Sequence, residues 1–246
     1  VIPYINGLAS KDFELNQTNK SFAYGGDSKI AIGNGMNLDV TVNPDFSNVE
    51  VDDIIANLTR FEISLPEKRQ FFIDNNDLFG GYGSFRDAIP FFSRRIGIAK
   101  DSAGNTIQNK IIGGVRLSGK LDQDWRLGFL SIQNQEDLQN QIASNNNTML
   151  TLQRRIFSRS QIGVFAINRQ AFKEYDFLSE EDKFNTVVGF DSNLVSPDNT
   201  WSSNIYMHKS YQPGDNKGNL SSRIRVQYNT REWRIFSDAV FVDRDF

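Results

Sequence analysis

The sequence predicts an all-β protein built from antiparallel strands linked by hairpins. Its second half is a series of segments of about ten residues, separated by short polar turns. Apolar and polar residues alternate within several of these segments, and helical spacing is nearly absent. Successive side chains of a strand point to opposite faces, so each such segment has one apolar and one polar face.

We predict eight strands, at residues 111–120, 125–134, 148–157, 161–170, 185–195, 200–211, 219–229 and 231–243. The seventh shows the alternation clearly. Ile224 and Val226 lie on one face of that strand, and Arg223 and Arg225 lie on the other. Short polar turns between the segments favour direct hairpin connections.

Two architectures produce this pattern. One is a soluble β-sandwich with an apolar interior, and the other is a transmembrane β-barrel with its apolar face towards lipid. The strands are long compared with the usual five or six residues, and charged or amide side chains occur in mid-strand. Aromatic residues recur near strand ends, as in an interfacial girdle: Trp125, Phe157, Trp201, Tyr211, Tyr228 and Trp233. These features favour the membrane barrel, with the soluble sandwich as the alternative.

Composition excludes several kinds of site. The chain has no cysteine and one histidine, His208, so thiol chemistry is excluded and a transition-metal site is disfavoured. A net charge of −3 without a basic block gives no support for nucleic-acid binding. No nucleotide-binding or hydrolase motif is present. We therefore predict no catalytic residue, no metal, no cofactor and no enzymatic activity in this chain.

The first 110 residues differ from the second half in their residue pattern. We predict an irregular segment, rich in clustered charges and aromatics, with short hairpins, and the barrel strands at residues 111–246. One hairpin is expected between residues 29–32 and 36–42, closed by the turn at residues 33–35. The best helical candidate, residues 135–141, is short and polar.

Three blocks in the first region carry a family resemblance. They are LDVTVNPDFSNVEVDD at residues 38–53, NLTRFEISLPEKRQFFID at 57–74 and PFFSRRIG at 90–97. Their order and content resemble the family called domain of unknown function 5916, found in outer-membrane proteins of Gram-negative bacteria, especially Bacteroidota. The resemblance implies an outer-membrane β-barrel. Members of the family are longer and often carry a module similar to carbohydrate-binding family 9, so we expect this chain to be part of a larger barrel.

The family blocks mix charges with aromatics, and we predict that they form a plug or constriction inside the barrel or at its mouth. Arginine binds carboxylates with two parallel hydrogen bonds, so an ion-pair network can fix such a segment. Contact with a substrate is a second hypothesis for the same residues, and a metal site a third. The proposed network comprises Asp39, Asn43, Asp45, Glu50, Asp52, Arg60, Glu62, Glu67, Lys68, Arg69, Arg94 and Arg95. The proposed aromatic anchors are Phe46, Phe61, Phe71, Phe72, Phe91 and Phe92.

These observations lead to an expected function. We expect a non-enzymatic protein of the bacterial outer membrane that acts as a channel or as an accessory subunit of a larger complex. Its expected partners are outer-membrane lipids, other outer-membrane proteins or lipoproteins, and glycans. Binding or processing of surface glycans is the alternative, and it rests only on the module that often accompanies the family.

Overall fold

The computed structural model describes residues 1–12, 17–44, 67–84, 86–102, 104, 106–214 and 217–246. Eleven strands form one antiparallel sheet in chain order, interrupted only by an insertion between β3 and β6. These strands are β1 (Ile2–Asp12), β2 (Gln17–Ile32), β3 (Met36–Val42), β6 (Ile111–Lys120), β7 (Trp125–Asn134), β8 (Asn145–Ile156), β9 (Ser160–Ala171), β10 (Phe184–Val195), β11 (Trp201–Tyr211), β12 (Leu220–Asn229) and β13 (Arg234–Val242).

Each strand of the sheet pairs with its neighbours through a regular antiparallel register. The insertion does not break this order, because β3 pairs directly with β6 and sets Val40 opposite Val115. Within the described ranges β1 pairs only with β2, and β13 pairs only with β12. The fold is therefore all-β with a large antiparallel sheet, and the sheet is open, without the closure that the predicted barrel requires.

The eight strands predicted for the second half are confirmed as β6 to β13, all of them within three residues at each end. The hairpin closed at residues 33–35 is also confirmed, as β2, a turn and β3. The helical candidate at residues 135–141 is wrong. That stretch forms a turn held by the isolated bridge between Asp137 and Ile142, and the Asp137 carboxylate accepts hydrogen bonds from the backbone NH groups of Gln139 and Asn140.

The first region differs from the irregular segment that was predicted. Strands β1, β2 and β3 belong to the same sheet as the later strands, so the sheet starts near the beginning of the chain. Alternation in β2 is interrupted, because Gly26 and Ser28 occupy the face on which Tyr24 and Ile30 lie. A strand without continuous alternation is hard to recognise from sequence.

The insertion between β3 and β6 provides the second layer of the molecule. Its described part, residues 67–110 without 85, 103 and 105, is called the plug segment below. It contains α1 (Gln70–Ile73), α2 (Asn76–Gly80), a 3-10 turn (Ser93–Arg95) and a small hairpin of β4 (Ile98–Lys100) and β5 (Thr106–Gln108). The core lies between the plug segment and one face of the sheet, and it contains Phe72, Leu78, Phe79, Tyr82, Ile96, Ile111, Leu130, Ile132, Met149 and Phe165.

The face of the sheet that carries the plug segment is called the inner face, and the opposite face the outer face. The outer face exposes large apolar side chains, including Leu150 at 48%, Val164 at 48%, Phe190 at 39% and Ile224 at 56% of their surface. Register brings them side by side, since Val164 lies opposite Phe190. No helix in the described ranges has the length and apolar character needed to cross a membrane.

Candidate functional site at the junction of plug segment and sheet

The start of the plug segment is fixed by a buried ion pair. The guanidinium of Arg69 donates two hydrogen bonds of 2.8 Å to the carboxylate of Glu67, one to each oxygen. Its remaining N–H groups donate to the carbonyls of Ser93 and Ile96 at 2.8 and 2.6 Å. Arg69 thus ties the first residues of the plug segment to the 3-10 turn, and its guanidinium also lies 4.2 Å from the ring centroid of Phe72.

This network shifts the acidity of Glu67. Burial alone would raise the pKa of the Glu67 carboxyl, but hydrogen bonds from Arg69 and Ser93 and the charge of Arg69 outweigh burial and lower it. The Ser93 hydroxyl donates to Glu67 Oε2 at 2.7 Å. A carboxylate stabilised in this way remains ionised at neutral pH.

A second cluster joins the plug segment to strands β2, β3 and β6. Arg116, whose side chain is only 2% exposed, donates to Asp39 Oδ2 at 2.7 and 3.2 Å and to the carbonyl of Asp74 at 2.7 Å. Lys29 donates to Asp74 Oδ2 at 2.6 Å. That bond from Lys29 is the main cause of the lowered pKa of Asp74.

A third contact follows on strand β7. Arg126 donates through both terminal nitrogens to the carboxylate of Asp77 on α2, at 2.6 and 3.2 Å. The hydrogen bond from Arg126 lowers the pKa of Asp77. Helix α2 is therefore held to the sheet by an ion pair beside its buried Leu78 and Phe79.

Strands β10 and β11 hold the plug segment through a buried acid. Asp191 Oδ2 accepts a 2.7 Å hydrogen bond from the backbone NH of Gly83, and Asp191 Oδ1 lies 2.6 Å from Nε2 of His208. His208 is fully buried against the rings of Phe165 and Tyr206. The structure gives it a positioning role, because it orients the carboxylate that receives Gly83.

Strand β12 makes the last charged contact. Arg223 donates to the Ser84 hydroxyl at 2.7 Å and to Asp87 Oδ2 at 2.9 Å in the plug segment. Its Nε donates to Asp238 on β13 at 2.8 Å, and a second bond to the same carboxylate makes that pair bidentate. One guanidinium thus joins the plug segment to two strands.

Aromatic rings of the plug segment rest on glycines of the inner face. A Cβ atom at Gly128 would lie 3.0 Å from the ring of Phe79, and one at Gly163 would lie 3.0 Å from the hydroxyl of Tyr82. Tyr82 also shares a hydrogen bond with Thr151 on β8. Glycine inside a strand lets another group approach the backbone closely, so these positions accept rings that any side chain would displace.

The structure brings together only part of the predicted site. Glu67 and Arg69 pair with each other. Asp39 binds a strand arginine outside the family blocks. Three of the four described anchors lie in or against the core: Phe71 meets Phe72 edge to face with ring centroids 5.3 Å apart, and Phe91 lies 6.5 Å from the ring of Phe79.

The remaining predicted residues have other positions. Lys68 is exposed, Phe92 and Arg94 are half-buried, and Arg95 is exposed in the 3-10 turn. The Asn43 amide donates to the carbonyl of Tyr24. The following predicted residues lie outside the described ranges: Asp45, Phe46, Glu50, Asp52, Arg60, Phe61 and Glu62.

Sequence reasoning missed most of the partners on both sides of the junction. The missed residues are Lys29, Asp74, Asp77, Tyr82, Asp87, Arg116, Arg126, Asp191, His208 and Arg223. Charged residues in the middle of otherwise apolar strands were the available signal for these partners. They were interpreted only as evidence for a hydrated face of the sheet. Which charge meets which depends on register and on the path of the insertion, and neither can be read from one sequence.

The arrangement is suited to holding a segment in place. Each described carboxylate at the junction of plug segment and sheet is paired with an arginine, lysine, histidine or backbone NH group. Among the described residues no three histidine, aspartate or glutamate side chains cluster as they would around a metal ion.

Comparison with known proteins gives a family and no individual relative. No curated protein and no solved structure matches the chain. The family model described as "Domain of unknown function (DUF5916)" matches residues 1–235, which is nearly the whole chain, and the three sequence blocks at residues 38–97 lie inside that match. The chain therefore belongs to the DUF5916 family.

Proposed function

We propose that the chain belongs to a β-barrel channel in the bacterial outer membrane. The sheet forms part of the wall of this channel, and the plug segment forms its plug. The observation that carries this proposal is the contrast between the two faces of the sheet. The outer face exposes Leu150, Val164, Phe190 and Ile224, while the inner face combines the apolar core with buried polar and charged side chains and carries the plug segment.

Lipid is the environment that best fits the outer face. A face with so many exposed large apolar side chains would be unfavourable in water, and monomeric soluble proteins rarely expose large apolar patches. Strands β6 to β13 contain 9 to 12 residues, close to the roughly 9 to 11 that cross a bilayer when tilted. Their ladder hydrogen bonds satisfy the backbone, as a bilayer requires.

The inner face fits a lumen. Its buried polar residues include Arg116, Thr151, Gln153, Asp191 and His208, and several of them contact the plug segment. Charged side chains on a lumen face can be hydrated or paired, whereas the same residues facing lipid would be costly. A plug held by ion pairs restricts passage and can be released by rearranging them, which is the basis for proposing a gated channel.

Lipid exposure can be tested by site-directed spin labelling, since the chain contains no cysteine to remove. Single cysteines at Leu150 and Val164 would be labelled in the full-length protein in outer membranes, with Asp122 in an exposed turn as the control. We expect the two strand positions to be accessible to oxygen and protected from a water-soluble nickel chelate. The control should show the reverse. Equal access of the chelate to all three positions would refute a lipid-facing sheet and favour the soluble sandwich.

Channel activity needs a separate test. Planar-bilayer conductance of the full-length protein would be compared with that of a variant carrying Arg126→Ala and Arg223→Ala, which lose the ion pairs to Asp77 and Asp87. We expect the variant to conduct more or to open more often. If both proteins insert and neither conducts, the channel is refuted and the role of an accessory subunit is favoured.

A further inference from the structure

A cleft of about 540 Å³ lies between the plug segment and strands β12 and β13. We propose that it binds a small organic anion, with a phosphate or carboxylate group attached to a ring or apolar body. The inference that the cleft binds an anion rests on the cleft alone. Only the interpretation of that anion as a transported solute rests on the proposed channel. Its lining residues are Ser84, Arg86, Arg223, Arg225, Phe236 and Asp238.

The charge of the lining favours an anion. Three arginines and one aspartate line the cleft. Arg223 is fully engaged, because Asp238, Ser84 and Asp87 take up its guanidinium. Arg86, Arg223 and Arg225 carry three positive charges against the two negative charges of Asp238 and the adjacent Asp87, so the cleft keeps a net positive charge.

Those two arginines remain available for a ligand. The side chain of Arg225 is 44% exposed, and its Nε lies 4.0 Å from Asp238 Oδ2, which makes a loose ion pair but no hydrogen bond. Arg86 is exposed, and the guanidinium groups of Arg86 and Arg225 donate no hydrogen bond within the described part of the chain. A guanidinium presents a planar fork of donors that matches carboxylate and phosphate oxygens, so two such groups at one cleft form a receptor for an oxyanion.

The aromatic ring in the cleft accounts for the organic body of the ligand. Phe236 is 62% exposed although it lies on the inner face, and its ring centroid is 5.9 Å from the guanidinium carbon of Arg225. A flat apolar ring beside a cation can pack against a ring or chain while the cation binds the attached anion. The volume is within the range of about 300–1,000 Å³ that is usual for small-ligand sites.

The position of the cleft couples binding to the plug. Ser84 and Arg86 belong to the plug segment, whereas Arg225 and Phe236 belong to the sheet. A ligand held by Arg86 and Arg225 together stabilises whichever arrangement keeps those two groups at the required separation. An anion would therefore shift the equilibrium between seated and displaced plug.

Isothermal titration calorimetry of the detergent-extracted full-length protein tests the site, with phenyl phosphate as the probe. We expect saturable binding of phenyl phosphate, no binding of phenol, and weaker binding of inorganic phosphate. Arg225→Gln and Arg86→Gln should each weaken phenyl phosphate binding tenfold or more, because each loses a charge-assisted contact. Arg155→Gln, which removes an equal charge from an exposed pair with Asp124, should leave affinity unchanged.

The outcomes separate the parts of the proposal. Unchanged affinity in both Arg225→Gln and Arg86→Gln would overturn the anion site. Equal affinity for inorganic phosphate and phenyl phosphate would overturn the inference that the ligand has a ring or apolar body. An unchanged affinity for phenyl phosphate in Phe236→Ala would overturn it as well. Arg86 lies on an exposed loop, so its variant tests the site even if Arg225→Gln fails to fold. The titration is done in detergent and does not depend on lipid exposure of the outer face, so its failure and that of the membrane proposal are distinguishable.

Discussion

Arg116 shows at the level of one residue how the sheet holds the plug segment. It is the largest fully buried side chain among the described residues, and it is charged. Asp39 on the neighbouring strand neutralises it, and the carbonyl of Asp74 takes a further N–H group. A buried charge is tolerated only when it is paired and hydrogen-bonded, so the three groups depend on one another.

Replacing Arg116 alone should be strongly destabilising. In Arg116→Met the carboxylate of Asp39 loses its main partner in a buried position, and the expected loss is about 3–5 kcal/mol in the free energy of unfolding. Urea unfolding in lipid vesicles, followed by tryptophan fluorescence, would measure it. Adding Asp39→Leu to Arg116→Met should recover part of the loss, because the unpaired charge is removed.

Arg155 provides the matched control for this prediction. Its pair with Asp124 has both side chains more than half exposed, and exposed pairs contribute about 0–1 kcal/mol. Arg155→Met should therefore change stability little. A loss of similar size in the Arg116 and Arg155 variants would contradict the role given to the buried pair.

At the level of elements, the strands and the plug segment fit together because glycines of the sheet make room for aromatic rings. Gly114, Gly128 and Gly163 lie on the inner face of three strands, and each faces an aromatic ring of the plug segment. Phe71 lies 3.4 Å from the Cβ position of Gly114, and Phe79 and Tyr82 lie at about 3.0 Å from those of the other two. The order of the glycines along the sheet matches the order of the rings along the insertion.

Gly128→Val should displace α2 without disrupting the sheet. The added side chain would meet Thr151 at 2.7 Å and the ring of Phe79 at 3.0 Å, and overpacking of this kind costs about 1–3 kcal/mol. We expect faster proteolysis within the plug segment, while the strands remain protected. Gly7→Val is the matched control, because no atom lies within 4 Å of its Cβ position. Equal protease resistance of the plug segment in both variants would contradict the meshing.

The sequence could predict elements better than contacts between them. Strands β6 to β13 were predictable because several of them carry apolar residues, such as Leu150, Val164 and Phe190, at alternate positions between short polar turns. Only the end of β2, residues 29–32, was predicted, because Gly26 and Ser28 interrupt that period. The pair of Glu67 and Arg69 is local, whereas the pair of Arg116 and Asp39 depends on a pairing across the insertion. Glycines inside strands indicate that another group approaches the backbone closely. The sequence does not show which aromatic rings pack at these glycines.

At the scale of the whole molecule, carboxylates hold the plug segment to the sheet. Asp74 and Asp77 of the plug segment meet Lys29 and Arg126 of the sheet, and Glu67 holds the plug segment together through Arg69. The pKa of Asp74 and that of Asp77 are lowered chiefly by the hydrogen bonds from Lys29 and Arg126. For Glu67, burial opposes the shift, but Arg69 and Ser93 outweigh it. All three shifts have the same sign, so their pH dependences reinforce one another.

Acidification should therefore release the plug segment from the sheet before the sheet unfolds. A carboxyl whose pKa is lowered in the folded state adds stability at pH values above its ordinary pKa of about 4, and this contribution is lost as the pH falls through the lowered value. The backbone ladder of the sheet has no such dependence. Proteolysis with pepsin at a series of pH values below about 4 should cut the plug segment at increasing rates while the strands stay intact. Asp74→Asn with Asp77→Asn should be cut faster at the upper end of that range and should show a flatter pH profile, because the double variant has already lost these carboxylates. If the pH dependence of proteolysis in the double variant were as steep as in the wild type, other groups would control how the plug segment is held to the sheet.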